Sequence, residues 1–123
     1  MKNLQKSQNR LDLLARSTDA EKVCYNILTS LGYKVIKQQP VFTGAKVYYI
    51  DLYIPKLRLA IECDGGYHYT PNQKRKDNNR SAGLRRLGIH VYRLSNHDAR
   101  NVSKVEAKIR RLIKSQNFAS NER

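Results

Sequence analysis

Two strand-like runs joined by only two residues constrain the fold of this chain more than any other feature. Residues 47–54 and 57–63 are rich in β-branched, aromatic and aliphatic side chains, and a single Pro-Lys pair separates them. This pattern predicts an antiparallel hairpin. Each run also carries one acid among apolar neighbours, Asp51 in the first and Glu62 in the second. Because an isolated buried carboxylate is costly, the pattern predicts a cation, a proton or a set of hydrogen-bond donors nearby.

The register of the hairpin decides whether the two acids meet. If Ile54 lies opposite Leu57 across a two-residue turn, Asp51 lies opposite Ala60. Side chains alternate between faces, so Glu62 then shares the face of Asp51. The two acids become diagonal neighbours with Cβ atoms ~7–8 Å apart. Both carboxylates could then reach one ion placed between them.

Two residues beyond the second run add to this chemistry. Asp64 falls on the same predicted face as Glu62, and His68 follows a Gly-Gly pair. Carboxylate oxygens with open positions for water and a phosphate suit Mg²⁺, and we expect Mn²⁺ to replace it. A histidine in this place could act as a general base or acid at neutral pH. Simpler interpretations are an Asx-type turn for Asp64 and an ordinary loop histidine for His68.

The rest of the chain alternates helical and strand patterns. Apolar residues recur at helical spacing after a Thr18–Glu21 capping box, and a second amphipathic pattern begins at Val102. The order predicts an α/β fold, α-β-β-β-α-β-α, with a central mixed sheet flanked by helices. The predicted elements are a helix over 20–31, a strand over 33–37, a loop over 38–46, strands over 47–54 and 57–63, a helix over 75–87, a strand over 89–94 and a helix from 102.

The length of 123 residues corresponds to one domain. We expect a flexible N-terminal arm over 1–16, the folded domain over 17–116 and a frayed tail over 117–123. Cys24 and Cys63 are the only cysteines, and we expect both to be small buried apolar residues. The N-terminus leads into no apolar signal segment, and no run reaches the ~20 apolar residues of a membrane span. We therefore expect a soluble, cytoplasmic protein without a membrane partner.

The charge indicates a polyanion binder. Lys and Arg number 24 against 10 Asp and Glu, a formal net charge of +14, and much of the excess lies between residues 74 and 114. A merely soluble small domain needs less charge, although a ribosome-associated or RNA-acting protein could look similar. Two aromatic residues beside His68 could stack on bases or pack beneath the loop. The predicted DNA-binding residues are Lys74, Arg75, Lys76, Arg80, Arg85, Arg86, Tyr67 and Tyr69.

Taken in order, these motifs resemble the core of PD-(D/E)XK nucleases, which have a restriction-endonuclease-like fold. More narrowly, they resemble a widespread domain family related to very-short-patch-repair endonucleases. The resemblance covers the chain from about Thr18 to Ile113. It rests on Asp51-Leu-Tyr-Ile-Pro, Ile61-Glu-Cys-Asp-Gly, His68, Asp77 followed by Arg80, and Gly88-Ile-His-Val-Tyr-Arg.

The resemblance implies a metal-dependent endonuclease that hydrolyses phosphodiester bonds in DNA. By position, Asp51 matches the metal-binding aspartate, Glu62 and Asp64 match the acid-x-Lys pair, and His68 matches a histidine of the short-patch-repair branch. We expect Asp51, Glu62 and Asp64 to bind the metal and, with His68 and Glu21, to form the catalytic site. Glu21 matches the glutamate of the first helix, although the capping box also explains it. Asp64 stands where most members have a lysine. The alternative is therefore a nucleic-acid-binding module with the same fold and impaired catalysis.

The substrate and the assembly stay open at this stage. The expected partner is double-stranded DNA, with mismatched or branched DNA as alternatives, in repair, restriction or the spread of a mobile element. A monomer would suit a nicking enzyme of the short-patch-repair type, and a homodimer would suit a double-strand break. A short domain can also depend on a partner protein for its specificity.

Overall fold

The structure, a computed structural model, describes residues 8, 10–11, 18–44, 46–64 and 70–120, with the backbone alone for Asp64 and for residues 116–120. The order of elements confirms the α/β prediction and adds a one-turn helix after the last strand. The elements are α1 (Asp19–Ser30), β1 (Ile36–Phe42), β2 (Val47–Ile54), β3 (Leu59–Asp64), α2 (Pro71–Arg86), β4 (His90–Ser95), α3 (Asn96–Ala99) and α4 (Val102–Ser120).

The described strands form one mixed sheet in the order β1-β2-β3-β4. Strands β1 to β3 are successively antiparallel, whereas β4 runs parallel to β3. A parallel neighbour needs a crossover, which α2 provides. Strand β1 extends to Phe42, so the predicted loop over 38–46 is wrong for residues 38–42. Pro40 is tolerated there because β1 lies at an edge of the sheet, where a missing N–H breaks no inner ladder.

The turn between β2 and β3 is longer than the predicted two-residue turn. A 3₁₀ turn occupies Pro55–Leu57, and Arg58 follows in the left-handed region with φ of 48°. The Arg58 guanidinium stabilises this geometry, since it donates to the carbonyls of Leu87 at 2.7 Å and Gly88 at 3.1 Å. The turn is thereby tied to the end of α2.

The longer turn corrects the register of the hairpin. Ile54 pairs with Leu59 and Leu52 pairs with Ile61, so the predicted pairing of Ile54 with Leu57 is wrong by two residues. A shift of two preserves the face of every side chain. When the observed register is continued by one pair, Asp51 comes directly opposite Glu62.

Helices cover both faces of the sheet. Helices α1, α3 and α4 pack on one face around the larger apolar cluster, whose buried members include Cys24, Leu28, Leu52, Ile61 and Val105. Helix α2 packs on the other face around a smaller cluster of Ile50, Ala60, Leu84 and Ile89. None of the helices in the described ranges is long and apolar enough to cross a membrane.

Candidate functional site

Asp51 lies where the alternation of side chains along β2 reverses. Ile50 packs in the cluster under α2, whereas Leu52 packs in the cluster under α1. Regular alternation would put residues two apart on the same face. Across from Asp51 on β1, Gln38 has a left-handed φ of 50°. The two strands are thus both irregular at this one pair.

The Asp51 carboxylate is hydrogen-bonded to both neighbouring strands. Its Oδ1 accepts from Gln38 Nε2 at 3.3 Å, and its Oδ2 accepts from the Cys63 N–H at 3.3 Å. The Asp51 N–H in turn donates to Glu62 Oε2 at 3.4 Å. The two predicted acids therefore meet, each bonded to the backbone of the strand opposite.

Glu62 is a nearly buried acid, with a residue exposure of 7%. Its Oε1 lies 2.7 Å from Arg80 Nη2 on α2, and the same Nη2 donates to the carbonyl of Tyr49 at 2.7 Å. Oε1 nevertheless accepts no hydrogen bond of acceptable geometry. Arg80 and Glu62 therefore form an ion pair in which the N–H groups of Arg80 do not point directly at Oε1.

Burial raises the pKa of Glu62 well above its ordinary value, and the charge and hydrogen bonding of Asp51 raise it further. The Arg80 charge and the Asp51 N–H oppose this change without cancelling it. Desolvation and a neighbouring like charge both disfavour the ionised form. The ionised acid pair would therefore gain from a cation placed against it.

The donor set suits a divalent ion such as Mg²⁺, because Asp51 and Glu62 lie next to each other and both offer carboxylate oxygens as ligands. The backbone of β3 continues to Asp64, which pairs with Ser95 of β4, but the Asp64 side chain lies outside the described part. Among the side chains that are described, no group of three or more His, Cys, Asp and Glu is close enough to hold an ion. A complete ligand shell would need a further contribution, for which Asp64 is the nearest candidate along β3.

Glu21 lies beside this acid pair. It is in the first turn of α1 and lines a small cavity together with Lys22, Lys37 and Asp51. Thr18 caps the helix, since its Oγ1 accepts from the Glu21 N–H at 3.2 Å. The predicted cap is therefore present, and the same turn brings Glu21 next to Asp51.

The predicted DNA-binding residues separate into two groups. Arg80 is directed inward to Glu62, with its guanidinium carbon 5.7 Å from the centre of the Tyr48 ring. The other basic residues of α2 are exposed. His68, Tyr67 and Tyr69 fall in residues 65–69, outside the described residues. The exposed basic residues are Lys74, Arg75, Lys76, Arg85 and Arg86.

Two residues at the site were not predicted from the sequence. Gln38 reaches Asp51 from β1, and Arg93 lies on β4 in register with Glu62. Arg93 donates to the Asp77 carboxylate at 3.3 Å and to Ser81 Oγ at 3.2 Å, so it ties β4 to α2. Asp77 and Arg80 are three residues apart and so lie on one face of the helix. This spacing was the sequence feature from which contacts between α2 and the sheet could have been predicted.

The two cysteines are free thiols, with Cys24 on α1 and Cys63 on β3 beside the acid pair. Cys24 is buried and Cys63 is half-buried. Cys24 is a buried member of the larger apolar cluster, and Cys63 packs against that cluster. The apolar surroundings agree with the role predicted for both residues, although Cys63 is only half-buried and not buried as expected.

With this geometry in place, comparisons with known proteins agree with the fold. Residues 20–115 match the family model REase_MTES_1575, which is restriction-endonuclease-like. An uncharacterized protein of Haemophilus influenzae is 36% identical over 93 residues, which are 73% of this chain and 74% of that relative.

Two solved structures are similar in fold. The catalytic domain of the homing endonuclease I-Bth0305I superposes with a TM-score of 0.63 at 23% identity, over 80% of this chain and 97% of that domain. The 5-hydroxymethylcytosine-specific restriction enzyme AbaSI superposes with a TM-score of 0.51 at 21% identity, over 95% of this chain and 50% of the enzyme. At these identities the likeness shows a shared fold.

Proposed function

Since this chain belongs to the restriction-endonuclease-like family REase_MTES_1575, we propose that it is a metal-dependent endonuclease that hydrolyses phosphodiester bonds in DNA. The observation that carries the proposal is the contact between two acids, the half-buried Asp51 and the buried Glu62, at the irregular point of the sheet. A purely structural pair of this kind would be costly, because two like charges share a site of low polarity. Binding a divalent cation offsets that cost.

The chain's own residues have distinct roles in this reaction. Asp51 and Glu62, with Asp64 as the third acid, would hold Mg²⁺, or Mn²⁺ in its place. Such an ion would supply Lewis-acid chemistry, polarisation of a phosphoryl oxygen and a lower pKa for an attacking water. Arg80 holds Glu62 in place, and His68 transfers a proton. Glu21 supports the site from α1.

The substrate is double-stranded DNA, which the exposed basic residues of α2 hold by its phosphates. Phosphate contacts of this kind fix the position of a protein on DNA and depend on salt. The exposed basic residues Lys74, Arg75 and Lys76 lie in the first half of α2, the helix that carries Arg80 to its contact with Glu62. Cleavage of one strand, as in short-patch repair, is the form of the reaction that suits a monomer.

The test is cleavage of supercoiled plasmid in EDTA, Mg²⁺ or Mn²⁺ by the parent protein and by two matched variants. Asp51→Asn removes one ligand charge. Asp98→Asn makes the same change at a surface ion pair with Lys108. We expect metal-dependent open circles from the parent and from Asp98→Asn, and a rate more than about 100-fold lower for Asp51→Asn, because even the residues that orient metal ligands are typically worth 10–100-fold.

Two results would contradict the proposal. If Asp51→Asn cleaves as fast as the parent, the acid pair is not the catalytic site. If the parent binds DNA in a gel shift at low salt but leaves the plasmid intact with every metal, the protein is the binding module. That alternative is the one suggested by Asp64 in the place of the usual lysine. A duplex with a mismatch and a branched duplex are therefore tested in the same assay. Cleavage of either one would show that the plasmid was an unsuitable substrate and that the protein is active.

A further inference from the structure

Gln38, outside the acid pair, combines a positive φ with a buried polar side chain. It lies on β1 between two regular pairs, Lys37 with Leu52 and Gln39 with Ile50, and so faces Asp51. Its φ of 50° is in the left-handed region, which glycine adopts readily and other residues rarely. Its residue exposure is 4% although its side chain is polar. A buried polar side chain on a strained backbone suggests that the side chain itself is needed.

The contacts of Gln38 lead directly to the acid pair. Its Nε2 donates to Asp51 Oδ1 at 3.3 Å. On the backbone side, Arg10 Nε donates to the Gln38 carbonyl at 3.1 Å and Arg10 Nη2 donates to the Lys37 carbonyl at 3.0 Å. One guanidinium from the N-terminal region thus binds the two carbonyls at the irregular point of β1. The strained backbone is held from outside while the side chain holds Asp51 from inside.

An amide has the right chemistry for orienting a carboxylate that must also bind a cation. With Oδ1 bonded to Gln38 and Oδ2 bonded to the Cys63 N–H, rotation of the Asp51 carboxylate is restricted. Both donors are neutral, so neither forms an ion pair with the carboxylate. A Lys or Arg at position 38 would neutralise the charge of the carboxylate and repel a cation. Partners that orient metal ligands in this way typically change metal affinity or activity by 10–100-fold.

We propose that Gln38 is a positioning residue, whose amide orients the Asp51 carboxylate toward a divalent cation while Arg10 stabilises the strained backbone of β1. The proposal rests on the metal-dependent nuclease function proposed above and adds to it a role for a residue of β1. It also gives the N-terminal region a part in the site through Arg10.

Two substitutions separate positioning from support of the fold. Gln38→Gly removes the amide and relieves the positive φ, so the backbone loses its strain. Gln38→Met keeps the length of the side chain and removes its donors. The matched control is Gln39→Met, because the neighbouring Gln39 amide donates to the carbonyl of Pro40 at the surface.

The measurements are the affinity for Mn²⁺ by calorimetry without DNA, the maximal rate of DNA cleavage, and unfolding by urea without metal. We expect both Gln38 variants to bind Mn²⁺ about 10–100-fold more weakly and to cleave more slowly by a similar factor. Gln38→Gly should unfold at a urea concentration close to that of the parent. Gln39→Met should match the parent in all three measurements.

Three outcomes overturn the proposal. If both Gln38 variants bind Mn²⁺ and cleave within about twofold of the parent, positioning fails while the proposed function stands. If they lose only stability and the folded fraction binds Mn²⁺ normally, Gln38 supports the fold alone. If the parent itself neither binds Mn²⁺ nor cleaves DNA, the proposed function fails and this inference fails with it.

Discussion

At the scale of single residues, the site is defined by how two acids are kept in a place that disfavours charge. Asp51 is held by neutral donors from both neighbouring strands, whereas Glu62 is more deeply buried and contacts Arg80. Burial and the neighbouring Asp51 raise the pKa of Glu62 well above its ordinary value. The metal-free protein therefore carries a penalty at this residue that depends on pH.

The first prediction concerns the pH dependence of stability without metal. The unfolded Glu62 ionises near pH 4.3, whereas the folded residue resists ionisation. A raised folded pKa gives stability that is fully present below the unfolded pKa and is lost as pH rises through the folded one. The free energy of unfolding of Glu62→Gln, minus that of the parent, should thus increase as the pH rises from 4.5 to 8. Urea unfolding in EDTA at both values measures this.

Glu106→Gln is the control for that experiment, because Glu106 is a partly exposed acid that pairs with Arg110 on α4. It should show no comparable gain at high pH. If Glu62→Gln loses more stability relative to the parent at pH 8 than at pH 4.5, the raised pKa of Glu62 is not supported.

At the scale of elements, α2 has two distinct faces. On its inner face, Arg80 forms an ion pair with Glu62, and Ser81 accepts a hydrogen bond from Arg93. Leu84 on the same face packs in the smaller apolar cluster. Its outer face is basic and carries no apolar core residue. Asp77 is turned toward Arg93, so its charge is not part of the outer face. The helix can therefore bind phosphates outside while it supports the acid pair inside.

The second prediction is that this outer face dominates DNA binding. Replacing Lys74, Arg75 and Lys76 together with Gln should weaken binding and flatten its dependence on salt, by about one unit of log–log slope for each phosphate that is no longer neutralised. The matched control replaces Lys104, Arg111 and Lys114 with Gln, which removes the same charge from exposed positions of α4. Gel shifts across a salt series measure both. Equal effects of the two triple variants would show that net charge alone drives binding.

The hairpin shows how far sequence reasoning reaches at this scale. The apolar runs located β2 and β3, and alternation predicted correctly that Asp51 and Glu62 share a neighbourhood. The exact pairing was missed because a 3₁₀ turn and a left-handed Arg58 depend on contacts with the distant end of α2. The extension of β1 through Pro40 was missed because proline signals a loop unless the strand is known to lie at an edge.

At the scale of the whole molecule, the order of elements was predictable because each helix or strand carries its own periodic pattern. The roles of Gln38 and Arg93 were not, since both depend on pairing between strands distant in sequence. The two faces of the sheet are also unequally covered. Helix α2 is held over the acid pair by a small apolar cluster. The integrity of the site should therefore depend on that cluster.

The third prediction tests whether that cluster holds α2 against the sheet. Leu84 is 1% exposed, and Leu84→Ala should cost about 2–5 kcal/mol of unfolding free energy, as for other large-to-small core changes. Leu87, at the end of the same helix, is 42% exposed, and Leu87→Ala should cost much less. Urea unfolding of both variants measures the difference. Equal losses would mean that Leu84 does not hold α2 against the sheet.

The decisive test of the acid pair as a metal site is the position of Mn²⁺ in crystals grown with the ion, read from its anomalous scattering. We expect an ion in contact with carboxylate oxygens of both Asp51 and Glu62, and no ion there in crystals of Asp51→Asn. An ion that contacts neither acid, or one that persists unchanged in the variant, would contradict the metal-dependent mechanism.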